Sequence, residues 1–130
     1  NYSKTIHIEA KTLRDMVECQ FLPALMKYTD KLITSIQGKQ SIAALPCKAE
    51  TSLLTKLSAA YDDLYTKTEK LHEDTLAAEK MEDPLETAKF YHEAILPAMD
   101  EIRKVADEAE TILPDELLPY PAYEQLLFSV

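Results

Sequence analysis

The side chains in this sequence best suited to acid–base or metal chemistry near neutral pH are three histidines, His7, His72 and His92. His72 closes "EKLH" at 69–72, a Glu-x-x-His spacing that di-metal carboxylate bundles use. Such a site needs two copies of the motif and two further inward glutamates. The sequence supplies one copy, so the pair reads as a solvated i, i+3 couple on a helix surface. "HIEA" at 7–10 has the His-x-Glu of zinc deaminases, but the Pro-Cys-x-x-Cys that completes that site is missing, because Cys47 stands alone in "PCKAE". His72 or His92 could also serve as the exposed histidine of a phosphotransfer bundle. "HEDT" and "HEAI" lack the glycine that such modules often place after the histidine. Cys19 and Cys47 show neither metal nor redox spacing and read as two reduced thiols. The acidic runs "HEDTLAAEKMEDP" and "MDEIRKVADEAE" fall mostly on outward helix faces. No Ser/His/Asp or Cys/His arrangement assembles. Catalytic, cofactor-binding and metal-ligating residues are all expected to be absent from this chain.

Composition says what kind of scaffold would hold these side chains. The chain has 130 residues, 46% of them apolar, which suffices for one domain with one core. It has a single glycine, Gly38. Tight hairpins, phosphate-cradling loops and dinucleotide turns depend on glycine, so they are nearly excluded, whereas helices need few. The net charge is −9. Binding nucleic acid or anionic lipid requires clustered Lys and Arg, and the bases here are spread among acids, so neither partner is expected. No apolar run is long enough to span a membrane. "NYSKTIHIEAK" lacks an apolar signal core and does not begin with methionine, so the chain is expected to be a fragment of a larger protein.

The apolar periodicity predicts three long helices. The first spans about 5–37, with Leu13, Val17, Phe21, Ala24, Tyr28, Leu32 and Ile36 in one stripe and Gly38 as a left-handed stop. The loop at 38–47 contains Pro46, which favours extended chain at Leu45. The second helix spans about 48–81 on a heptad seam of Leu54, Leu57, Tyr61, Leu64, Thr68, Leu71, Thr75 and Ala78. "DPLE" at 83–86 then gives a capping Asp83, Pro84 at the first helical position and Glu86 at the third. The third helix follows over about 84–113 on Leu85, Ala88, Ile95, Met99, Ile102, Ala106, Ala109 and Leu113. So short a turn makes the second and third helices antiparallel neighbours. The expected fold is a single all-α domain over 1–130: an antiparallel bundle of three long helices, with a tail at 114–130 that forms a short helical segment packed on it.

Two helices carry an interior proline in nearly the same words, "FLPALMKY" at 21–28 and "ILPAMDEI" at 95–102. An interior proline costs roughly 3 kcal/mol. At 100° per residue, Pro23 and Pro97 lie about 150° from their core directions, on the solvent side. There the carbonyls at Cys19 and Glu93, which lose their i+4 amides, can bond water. Matched bends at both prolines are expected, each helix wrapping the core with its convex face outward.

The ending "LPDELLPYPAYEQLLFSV" is apolar for a terminus. Pro119 and Pro121 stop helix, and Tyr120, Tyr123, Leu126, Leu127 and Phe128 need cover. These residues are expected to dock on the bundle or to form an interface.

"IEAKTLRDMVECQFLPALMKYTDKL", "AKFYHEAILPAMDEIRKVADEAE" and "LPYPAYEQLLFSV" together resemble the C-terminal end of type III glutamine synthetases. The match is strong at both ends and weak over about 38–82. The resemblance implies a non-catalytic C-terminal structural or interaction domain of a bacterial, cytoplasmic enzyme of nitrogen metabolism. That enzyme makes glutamine from glutamate, ammonia and ATP, with Mg or Mn. Its nucleotide, metal and substrate motifs lie upstream and have no matching positions here, so no catalytic residue is carried over. The implied partners are the upstream catalytic domain and neighbouring subunits of a homo-oligomeric ring. The alternative is a free-standing helical bundle for histidine phosphotransfer or partner binding.

Overall fold

The computed structural model describes residues 2–117. Among them no strand forms, and the helices fall into three long stretches. The first is α1 (Tyr2–Met16), a π-turn at Val17–Phe21 and α2 (Leu22–Ile42). The second is α3 (Lys48–Glu79). The third is α4 (Pro84–Phe90), a π-turn at Tyr91–Ile95 and α5 (Leu96–Glu110), followed by a 3-10 turn at Asp115–Leu117.

The seam predicted for the second helix is its buried face. Leu57, Leu64, Thr68, Leu71 and Ala78 of α3 are buried, with Leu54 and Tyr61 packed beside them. This face meets α1 and α2 as well as α5 and the second π-turn. The core thus follows α3 and is completed by Phe21 and Leu25 from the first stretch and Ile95, Met99 and Ile102 from the third. Burying each such side chain is worth about 1.5–3 kcal/mol relative to leaving it in water. The break between α3 and α4 lies where "DPLE" puts it. Asp83 is extended, its carboxylate accepts from the Leu85 amide at 3.4 Å, its carbonyl accepts from the Thr87 amide at 2.9 Å, and Pro84 opens the helix.

The structure corrects the sequence reading at several points. The first stretch does not stop at Gly38. It continues to Ile42 and ends where Ala43 becomes extended, and Gly38 has no positive φ. Nothing lies within 4 Å of a Cβ built at this glycine, so it sits in an open, ordinary helical turn. α5 ends at Glu110, before the expected 113, although Leu113 is still buried. Leu85, expected on the core stripe, is 76% exposed. The π-turn between Leu85 and Ile95 inserts a residue without completing another turn, which carries Leu85 to about 180° from Ile95. The tail residues Pro119, Tyr120, Pro121, Tyr123, Leu126, Leu127 and Phe128 lie outside the described residues.

The two π-turns are the feature that periodicity alone did not predict. Each ends immediately before a Leu-Pro-Ala: the Leu22 amide reaches back five residues to the Val17 carbonyl, and the Leu96 amide to the Tyr91 carbonyl. Their purpose is visible in the stripe. Leu13, Val17, Phe21 and Leu25 are all buried, and so are Tyr91, Ile95 and Met99. Both runs step by four. On an ideal α-helix each step of four advances about 40° past a full turn, so three steps would swing the stripe about 120° off the core. One π-turn, which takes up an extra residue, removes most of that drift. Pro23 and Pro97 are exposed, as expected, and so are Cys19 and Glu93, whose carbonyls have no amide four residues ahead.

Candidate functional site

Among the described residues, two sets of polar side chains meet across helices near the ends of the stretches. Near the start of α1, His7 Nε2 lies 3.2 Å from Glu79 Oε1, at the end of α3. Its Nδ1 lies 3.1 Å from the hydroxyl of Tyr91, the first residue of the second π-turn. The two rings meet edge to face at 6.4 Å. Three stretches are thus joined through one imidazole. An ionised carboxylate only accepts, so in the neutral ring Nε2 carries the proton toward Glu79 and Nδ1 accepts from the Tyr91 hydroxyl. Tyr91 is buried, and burial holds its acid range above the ordinary tyrosine value, with the Glu79 charge adding to the effect. The phenol therefore stays protonated and acts as a donor. Its chemistry is that of a clamp rather than a nucleophile.

A second tie closes the opposite region, where Lys39 near the end of α2 pairs with Glu50 in the first turn of α3. Hydrogen bonding to Glu50 holds the Lys39 ammonium above its usual range, and the same bond holds the Glu50 carboxyl below its own. Among the described residues, Arg14–Glu18, Lys67–Asp63, Lys70–Asp74 and Arg103–Asp100 also pair, each within one helical stretch at i, i+3 or i, i+4. Pairs of this kind contribute a few tenths of a kcal/mol.

The structure brings His7 and His72 to one cleft and separates the other residues singled out for chemistry. His72 is half-buried on α3, and its carbonyl accepts from the Thr75 hydroxyl at 2.8 Å. His92 is exposed on the second π-turn. Among the described residues no three His, Cys, Asp or Glu side chains converge on a possible metal position. Cys19 and Cys47 are free thiols. A cleft of about 240 Å³ beside the clamp is lined by His7, Lys11, Arg14, His72, Leu76 and Glu79 among others. His7 was seen in the sequence only as half of a failed zinc motif. Its partner Tyr91 lies 84 residues away, and the signal for Tyr91 was its place four residues before Ile95 in the core stripe.

A glutamine synthetase from Butyrivibrio fibrisolvens is 40% identical over 131 residues, covering 100% of this chain and 19% of that protein. The chain is a relative of the glutamine synthetases. The family model for the glutamine synthetase C-terminal domain matches residues 1–40, which take in α1, the first π-turn and most of α2. A type-3 glutamine synthetase from Dictyostelium discoideum is 27% identical over 133 residues, covering 98% of this chain and 18% of that protein. A glutamine synthetase from Bacteroides fragilis is 23% identical with the same coverage. The chain spans about a fifth of the length of these curated relatives.

Proposed function

We propose that this chain is a structural or interaction segment, without catalytic residues, from the C-terminal end of a type III glutamine synthetase. The observation that carries the reading is the 40% identity along the whole chain to a synthetase of which it makes up 19%. The parent enzyme would be a cytoplasmic, homo-oligomeric ligase that joins ammonia to glutamate using ATP and Mg or Mn, its catalytic groups lying upstream. Within it, this segment would be an antiparallel bundle of three rods, bent at Pro23 and Pro97. The ties His7–Glu79 and Lys39–Glu50 support opposed directions for the first two rods, because one joins the start of the first stretch to the end of α3 and the other joins its end to the start of α3. The surfaces left outside the core would brace the catalytic body or a neighbouring subunit.

Two measurements test this. Titration calorimetry of the isolated 130-residue chain with ATP and magnesium should give no heat of binding, and micromolar binding would overturn the reading. The complete enzyme without this segment should lose assembled mass in sedimentation or lose heat resistance. An unchanged assembly and unchanged melting would leave the segment no structural role. A phosphotransfer module is not favoured, since the relatives are synthetases.

A further inference from the structure

The cleft beside the His7 clamp gathers basic side chains in an acidic molecule. The chain carries 23 Asp and Glu against 14 Lys and Arg. Yet His7, Lys11, Arg14 and His72 border this one opening, with Glu79 as the acid on its described lining. Lys11 and Arg14 stand at i, i+3, so their stems leave one face of α1 about 5–6 Å apart. Lys11 has Asp15 four residues on, the spacing at which Lys70 pairs with Asp74. It lines the cleft instead and makes no ion pair among the described residues. Arg14 meets Glu18 through Nε, which leaves the two terminal amino groups of its guanidinium to donate. The His72 carbonyl is engaged by Thr75, but its ring has no hydrogen-bond partner among the described residues. Glu79 does not neutralise this set. Its carboxylate is held by His7 at 3.2 Å, and His7 lies about 6 Å from Lys11 and about 10 Å from Arg14 along the helix axis. Beneath the basic groups the wall is apolar: Ala10 and Leu71 are each 1% exposed, and Leu76 adds an open edge.

We propose that this cleft binds a small dicarboxylate. One carboxylate is taken by the Arg14 fork and the His72 N–H, the other by Lys11, and the carbon link lies over Ala10, Leu71 and Leu76. A guanidinium presents parallel N–H groups that match the two oxygens of a carboxylate, and an ammonium serves as a point charge for the second. Two cationic groups call for two anionic ends, and an apolar floor calls for carbon between them. A single phosphate would leave that floor bare, and a polar linker would lose its water there without gaining partners. The volume of about 240 Å³ is below the roughly 300–1,000 Å³ of sites for drug-sized molecules, so the ligand is a few carbons long. An ammonium group on the ligand would meet Lys11 and Arg14 as a like charge, so the cleft selects against amino acids. The site is shared by α1 and α3, and a bound dianion ties these helices as the His7–Glu79 contact does. The inference stands on this chain alone and does not depend on the role of the parent enzyme.

Titration of the full chain with succinate, followed by NMR at constant ionic strength and neutral pH, tests the proposal. Saturable shifts are expected at Lys11, Arg14 and His72. Lys11→Gln and Arg14→Gln should each raise the dissociation constant about tenfold. Lys31→Gln, which removes an exposed lysine of α2, should leave it unchanged. Arg14→Lys keeps the charge but loses the fork, and it should weaken binding as well. Acetate, with one carboxylate, inorganic phosphate, and aspartate, which adds an ammonium to succinate, should each bind about tenfold more weakly than succinate. Absence of saturation would overturn the proposal. Equal weakening by Lys31→Gln would reduce the effect to net charge and overturn it too. Binding by Arg14→Lys as tight as by the natural chain, or equal binding of acetate, phosphate or aspartate, would overturn the assigned geometry and ligand class.

Discussion

Tyr91 is a core residue whose one polar atom points at a titratable ring. Replacing it with phenylalanine keeps the packing and removes the donor to His7. The loss of such a bond costs about 0.5–1.5 kcal/mol, to be read as a lower urea midpoint with an unchanged slope. The sign of the pH effect follows from the raised acid range of the phenol. The unfolded tyrosine releases its proton first, so the stability held by this group is complete below pH 10 and declines as pH rises through the folded value. The Tyr91→Phe chain should therefore show a smaller alkaline loss than the natural one. Glu50 gives the opposite case. Its carboxyl is held below the ordinary 4.5, so the stability it carries is present above that pH and is lost as pH falls through the folded value. Glu50→Gln should flatten the acid limb of the stability profile. Neither role could be read from the sequence. Ion pairs and hydrogen bonds between distant helices depend on which ends meet, and residue spacing reports only neighbours on one helix.

The helices themselves were largely legible. The seam from Leu57 to Ala78 and the Asp83–Pro84 start are strong signals, because a buried stripe and an N-cap leave residue-type traces at fixed offsets. Gly38 was misread because a glycine after an apolar stripe is as consistent with a stop as with an interior position. Its regular backbone and the open space around its Cα give a prediction. Gly38→Ala should stabilise the chain by about 0.5–1 kcal/mol, since alanine gives up less freedom on entering a helix. Calorimetry should record a melting temperature about 2–5 °C higher. The π-turns had left a trace that periodicity counting passed over: an unbroken run of fours where an α-helix would insert a three.

At the scale of the whole molecule, charge is the main long-range term. A net −9 spread over a chain of this size opposes compaction. The ion pairs within single helices are too weak to offset a change in screening. Raising salt from about 0.01 M to 0.2 M, which shortens the Debye length from about 30 Å to under 10 Å, should therefore raise the melting temperature. A drop would mean that the ties at the helix ends dominate. The all-helical class was legible from one glycine and three periodic runs. The contact between His7 and Tyr91 was not, because the two lie 84 residues apart and no spacing within one helix reports it.

Each π-turn also bears on how such a chain can gain and lose residues. Deleting one residue from a helix ordinarily rotates everything beyond it by about 100° and destroys the core. Within Val17–Phe21 the same deletion would convert the turn to plain α-helix and leave both flanking faces where they were. Pro23 would then clash with the preceding turn, so the deletion of Gln20 should be tolerated only together with Pro23→Ala. That double change should melt within a few degrees of the natural chain by circular dichroism, whereas deletion of Ala59 from the middle of α3 should abolish cooperative melting. If that is the outcome, a one-residue gap beside a Leu-Pro-Ala, in a relative that lacks the proline, marks the same fold with its extra residue removed.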